Sequence, residues 1–193
     1  MIATVNRPHL MYGISLILAP LLQALSSFFW INGEYGVTGG TILFFSMIFW
    51  IPVLIFLFSL VKNKMPNYAG WGLLTAIVGF ISGVGFAFTG VYTEIFSISH
   101  ESYIAGFSKY PVASNLLLFQ TGPLAPLSLI VLGIVFLKTR VVKLHVGLLI
   151  ALGGIAFPLS RISRIEWVAH FADTLLLIPL AELGINILLR RRI

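Results

Sequence analysis

"TILFFSMIFWIPVLIFLFSL", residues 41–60, runs for twenty positions without a charged side chain. About twenty apolar residues in a helix cross the roughly 30 Å of a bilayer's hydrocarbon core. In lipid a helix satisfies every backbone polar group internally, so the run reads as a membrane-spanning helix. The rest of the chain repeats the pattern. Apolar residues make up 59% of the 193, against about 45–50% in soluble domains. Spans are predicted at 9–30, 41–60, 71–92, 115–137, 141–160 and 167–189, forming a single membrane domain. The expected fold class is all-α, a polytopic membrane protein built as a six-transmembrane-helix bundle. The apolar run from Leu10 to Trp30 exceeds the about 7–15 residues of a signal-peptide core, so it reads as a retained first span.

Turn chemistry separates the spans. "NGEYGVTGG" (32–40), "KNKMPNYAG" (62–70) and "KTRVVK" (138–143) are polar or Gly/Pro-rich breaks. Trp30, Trp71 and Trp167 fall at span ends, where amphipathic rings settle among lipid headgroups. Of the twelve Lys and Arg residues, nine fall on one side: Arg7, Lys62, Lys64, Lys138, Arg140, Lys143, Arg190, Arg191 and Arg192. Lys109, Arg161 and Arg164 fall on the other. The positive-inside rule then places both the N- and C-termini in the cytoplasm and the 93–114 loop outside. The expected location is a cell (inner) membrane. The formal charge of +6 is a topology and headgroup signal, with no basic stripe for nucleic acid. Absence of cysteine excludes disulfides and thiolate-held metals or clusters.

Small residues point to helix contacts. Gly72, Ala76, Gly79 and Gly83 in span 3, and Gly147, Ala151, Gly153 and Gly154 in span 5, let backbones approach closely. They place these two spans centrally or, alternatively, line a permeation path. "TGPLAP" (121–126) is the sharpest break and predicts an unwound turn near mid-depth, as in the discontinuous helices that hold transporter ligands. "LAPL" occurs at 18–21 and 124–127, a faint sign of a 3+3 inverted repeat.

Polar side chains are costly in hydrocarbon, so their depth is informative. Gln23, Ser26 and Ser27 of span 1, Gln120 of span 4, and His170 and Asp173 of span 6 all fall in outer halves. "RISRIEWVAHFAD" (161–173) is the densest polar stretch. At about 100° per residue, Glu166, His170 and Asp173 share one stripe of span 6. That stripe suits a proton relay, a divalent-metal site or a wall for a polar solute. It equally suits an ion-paired helix end with no ligand. Asp173 needs a partner charge, which Arg161 or Arg164 would supply by folding back. These residues place a polar pocket between spans 1, 4 and 6, with Arg161, Arg164, Glu166, His170, Asp173, Gln120 and Gln23 around it.

"SISHESYIAGFSKYP" (97–111) reads as a short helix capped by Ser99 and stopped by Pro111. His100, Tyr103, Ile104 and Phe107 share a face, which either lies on the membrane surface or closes the pocket as a lid. Glu182 and Asn186, followed by Arg190, form a polar ladder in the inner half, read as a snorkelling ion pair or an inner gate. A metal site would need His100, Glu94 or Glu101 as a further ligand, and no zinc signature is present. The sequence requires no cofactor, and its four histidines are poorly placed for haem.

No motif matches a family signature. In architecture alone, six spans with an outward pocket, the chain resembles the substrate-capturing membrane subunits of vitamin uptake systems. It lacks the alanine pattern in span 1 with which those subunits dock their partner. The first expectation is a small transporter or solute-binding protein with a pocket open to the extracytoplasmic side. Its expected partners are the lipid bilayer and a small-molecule or ion ligand. The alternatives are a membrane-embedded enzyme, metal-assisted or not, acting on a lipid or polar head group, and a non-catalytic accessory subunit within a larger complex or homo-oligomer.

Overall fold

Six helices long and apolar enough to cross a membrane organise the chain. The computed structural model describes residues 7–31 and 34–191. Asn32, Gly33 and Arg192 lie outside the described residues, as does the side chain of Arg7. The elements are α1 (Arg7–Ser27), β1 (Trp30–Ile31), β2 (Glu34–Tyr35), α2 (Val37–Val61), α3 (Pro66–Ile95), α4 (His100–Ser108) and α5 (Pro111–Ser114). A π-helical turn (Asn115–Phe119) leads through 120–123 into α6 (Leu124–Thr139), α7 (Leu144–Ser163) and α8 (Glu166–Leu188). The fourth span is composite, Pro111–Thr139. The strands form a two-residue antiparallel ribbon, Trp30 opposite Tyr35. The chain is an integral-membrane six-helix bundle.

The spans stand in a ring in sequence order. Each packs on its two sequence neighbours, and α8 closes the ring against α1. This corrects the expectation that spans 3 and 5 sit centrally. Their small residues work at pairwise crossings instead. A Cβ on Gly79 would strike the α6 backbone at Leu124 and Ala125. One on Gly133 would lie 2.6 Å from the Ala151 nitrogen of α7, and one on Gly184 2.7 Å from the Gly13 carbonyl of α1. Helices in lipid associate through such close van der Waals approach, because burial from lipid adds little.

The break in the fourth span lies where "TGPLAP" predicts it. Residues 120–123 are a turn, and α6 begins after Pro123. The freed carbonyls find partners: Leu117 accepts from Ser82 Oγ at 2.8 Å, and Leu116 from Thr121 Oγ1 at 3.0 Å. That satisfaction is what permits non-helical backbone at membrane depth. Pro20, by contrast, sits inside a continuous α1, whereas Pro126 lies in the first turn of α6, so the two "LAPL" segments are both helical but hold different places in their helices.

Packing differs between the two ends of the ring. The end carrying Lys62, Lys64, Lys138, Arg140 and Lys143, called here the basic end, is filled by fully buried Leu54, Leu57, Phe58, Leu132, Phe136 and Leu183. The other, the loop end, carries the ribbon and α4 and encloses a cavity.

Candidate functional site

The polar centre of the loop end is Asp173, whose carboxylate is fully buried. It accepts hydrogen bonds from Gln23 Nε2 at 3.0 Å and Ser27 Oγ at 2.7 Å. Arg161 Nη2 reaches both its oxygens, at 3.2 and 3.3 Å. Gln23 uses its other end too, accepting from Trp50 Nε1 at 2.9 Å. Local sequence explains the meeting. Residues four apart share a helix face, which aligns Gln23 with Ser27. Arg164 closes α7 in the left-handed region (φ 55) and the chain re-enters α8 after Ile165. That tight turn returns Arg161 to Asp173 on the neighbouring helix. The guanidinium also sits 4.7 Å from the Trp30 ring centroid and 4.5 Å from that of Phe157. A buried charge needs such partners, since uncompensated it is strongly destabilising. Buried Arg161 Nε and Trp30 Nε1 have no acceptor among the described residues.

A second cluster ties the mouth. Glu34 Oε1 on the ribbon takes Arg164 Nη1 at 2.8 Å and His100 Nδ1 at 2.7 Å. Arg164 Nη2 lies 3.4 Å from His100 Nε2, so three segments join at one point. Ser99 caps α4, its Oγ accepting from Ser102 N at 3.3 Å. Tyr103 of α4 donates to Thr89 Oγ1 of α3 at 2.8 Å. Glu94 accepts from the Val37 amide, anchoring α3 to the start of α2. Burial raises the Tyr103 hydroxyl pKa above its ordinary value, with the Thr89 bond opposing. Burial also raises that of Tyr35, with Arg161 opposing. Both tyrosines are therefore neutral donors at ordinary pH.

Between these clusters and the core lies a cavity of about 480 Å³. Leu43, Met47, Gly79, Phe80, Gly83 and Leu129 form its apolar depth. Its polar groups are Gln23, Arg161, Glu34, Arg164 and His100, with the hydroxyls of Tyr35, Thr89, Thr93 and Tyr103. The volume falls within the range of small-molecule sites, about 300–1,000 Å³. A shallower groove of about 660 Å³ runs on the far side of α3 against 107–121.

The structure sorts the candidate residues. Gln23, Arg161, Arg164, His100 and Tyr103 line the cavity. Asp173 stands behind Arg161 and Gln23, outside the lining. Glu166 is exposed, and His170 stacks on Phe28 with centroids 4.1 Å apart. The stripe Glu166–His170–Asp173 therefore does not converge on one atom: in its first turn Glu166 faces outward, while Asp173 turns to α1 and α7. Among the described residues no three His, Asp or Glu side chains group as a metal site. Gln120 is exposed in the turn, and Phe107 lines the outer groove.

The pocket also differs in place and character from its expectation. It lies mainly among α2, α3, the fourth span and α7, and its wall is largely apolar. The depth of polar residues could not reveal the ring order that places them. A signal for the cavity was present nonetheless: Gly79, Gly83 and Gly90 share one face of α3 and all line it. At the basic end, Glu182 turns across to α7, meeting Lys143 Nζ at 2.8 Å and His145 Nε2 at 2.6 Å. The ladder to Asn186 and Arg190 is thus replaced by an inter-helix ion pair, because α7 begins beside it.

The fold and site together define a polytopic membrane protein with an internal, one-ended amphipathic cavity. Comparison of the chain with protein-family models, with curated proteins and with solved structures finds no match.

Proposed function

We propose that this protein is a small solute-binding or transport protein whose ligand is an amphipathic small molecule. One observation carries the reading: the ring encloses a cavity whose depth is apolar and whose charged groups gather at one end. Such a wall matches a molecule with an apolar body and one polar end. The unmet donors of Arg161 and Trp30 favour a polar end that bears acceptors, since buried unpaired donors cost about 1–3 kcal/mol each. Asp173 serves as the buried counter-charge that fixes Arg161 in the wall.

The mouth faces the extracytoplasmic side of a cell (inner) membrane, supported by the placement of nine of twelve basic residues at the opposite side. An impermeant thiol reagent on intact cells then labels Ser102→Cys and spares Lys64→Cys; the reverse pattern inverts this orientation.

The binding test is photo-cross-linking in nanodiscs with a diazirine-bearing long-chain alcohol. Adducts are expected at Met47, Phe80 and Leu129, and Gly83→Phe removes them by filling the cavity. A Cβ at Gly83 meets only the flexible Met47 side chain, its Sδ at 2.9 Å, and no backbone of a neighbouring helix. Adducts confined to lipid-facing residues, or unchanged in Gly83→Phe, would mean a sealed bundle with a scaffolding role.

A further inference from the structure

We infer that the cavity takes a charge-neutral amphiphile directly out of the bilayer, through a side portal between α3 and the π-helical turn that Leu118 and Thr89 close. The inference rests on the binding role proposed above and adds the ligand's charge and its route.

The route follows from two spaces that share a wall. The internal cavity and the groove outside α3 are both lined by Leu118 and Thr89. One layer of side chains separates them. The groove is flanked by exposed Ile81, Phe88, Leu116 and Leu117, the surface that lipid tails cover in a spanning bundle. Leu118 itself is 6% exposed.

The chain is built to move at this place. Opposite α3 stands a π turn followed by a non-helical turn rather than a continuous helix. Such π turns recur at functional sites. Two side-chain bonds hold the closed form: Ser82 Oγ to the Leu117 carbonyl at 2.8 Å, and Tyr103 Oη to Thr89 Oγ1 at 2.8 Å. Swinging Asn115–Pro123 outward breaks the first and leaves α6 and its crossing at Gly79 in place.

The ligand's charge follows from the wall. Arg161 is matched by Asp173 and Arg164 by Glu34. Two positive and two negative groups sum to zero, and Arg164 Nη2, a donor, faces His100 Nε2 at 3.4 Å, so that ring nitrogen stands as an acceptor. An added charge would enter a low-dielectric cavity with no free counter-charge, a costly arrangement. A hydroxyl end, by contrast, finds the acceptor oxygens of Thr93 and Tyr103 in the wall, and a hydroxyl or carbonyl oxygen can accept from the unmet N–H groups of Arg161 and Trp30.

The experiment follows the rate at which the diazirine alcohol, dissolved in phosphatidylcholine vesicles holding the full chain, labels Met47 and Phe80. Leu118→Ala and Ser82→Ala should each load severalfold faster, and Leu118→Trp slower. Should the tryptophan variant misfold, the two alanine variants carry the test alone. Stapling the mouth through Glu34→Cys and His100→Cys with a short bis-maleimide should leave the rate equal to that of the same double variant without the staple, the comparison that separates the staple from the loss of Glu34; the chain has no other cysteine. The carboxylate and amine of equal chain length should label at least about tenfold less, the factor equivalent to about 1.4 kcal/mol. Rates indifferent to Leu118 and Ser82 but stopped by the staple would establish entry from water and overturn the portal. Equal labelling by the carboxylate or the amine would overturn the neutral ligand. Absence of cavity labelling by the alcohol in every protein would defeat the binding role itself.

Discussion

The two flanks of the loop end are held by opposite means. On one, α1, α2, α7 and α8 are tied by five side chains, Gln23, Ser27, Trp50, Arg161 and Asp173, bonded into one buried network. On the other, α3 meets the fourth span through a broken helix, one hydroxyl bond and apolar side chains around a void, and a second hydroxyl bond ties it to α4. Within a bilayer a hydrogen-bonded charge pair fixes two helices in one register, because every slipped register strands a charge. Apolar contacts against lipid carry little such penalty, so the second flank remains free to rearrange. The difference separates a rigid half that positions Arg161 from a looser half beside the cavity.

The contrast predicts its own largest effect. Asp173→Ala leaves Arg161 charged and mostly buried, with its side chain 18% exposed. Losing one partner of a buried pair costs about 3–5 kcal/mol. Denaturant unfolding in mixed micelles should show that loss, whereas Asp173→Leu combined with Arg161→Met should recover most of it. A single variant within about 1 kcal/mol of the parent would show that water reaches the pair and that the flank is less dry than its geometry implies.

That pair shows how far the sequence could be read. Asp173, two turns into span 6, demanded a counter-charge, and only Arg161 and Arg164 lay near enough along the chain. Hydrocarbon thickness made the six spans legible, and Pro123 with Gly122 marked the break in the fourth. What stayed hidden depends on how each helix is rotated within the ring. Gln23 and Trp50 are 27 residues apart and polar for different reasons, and nothing local pairs them. Arg164 chose Glu34, 130 residues away, through the ribbon and the α7–α8 turn. The cavity was the least legible of all. It consists of side chains that are missing, and glycines that line a void have the same spacing as glycines that pack.

Gly79 separates those two meanings on α3. A Cβ added there would strike the backbone of Leu124 and Ala125, which cannot yield as a side-chain tip can. Gly79→Ala should push α3 away from α6 and cost about 1–3 kcal/mol by the same unfolding measurement, the range for overpacking. Gly83→Ala, four residues on, meets only the Met47 side chain and should be close to neutral. Equal effects at the two positions would mean that the void beside Gly83 collapses in the membrane, and the contrast between the flanks would weaken.

The smallest effect belongs to the mouth. Glu34 and Arg164 are 34% and 43% exposed, so water and salt screen their bond. Exposed pairs contribute about 0–1 kcal/mol, and Glu34→Gln should hardly change the unfolding midpoint. The consequence should appear locally. Among the described residues Glu34 is the one group bonded to both His100 and Arg164, and its neutral replacement loosens the start of α4 without touching Asp173. Thiol labelling of Ile104→Cys, a cavity-facing position on α4, should quicken by no more than about fivefold, the factor for 1 kcal/mol. High salt should reproduce much of that gain in the parent and add little in the variant. A much larger rise, or a fall in global stability, would show that the exposed cluster holds the loop end together. The buried network would then be secondary to it.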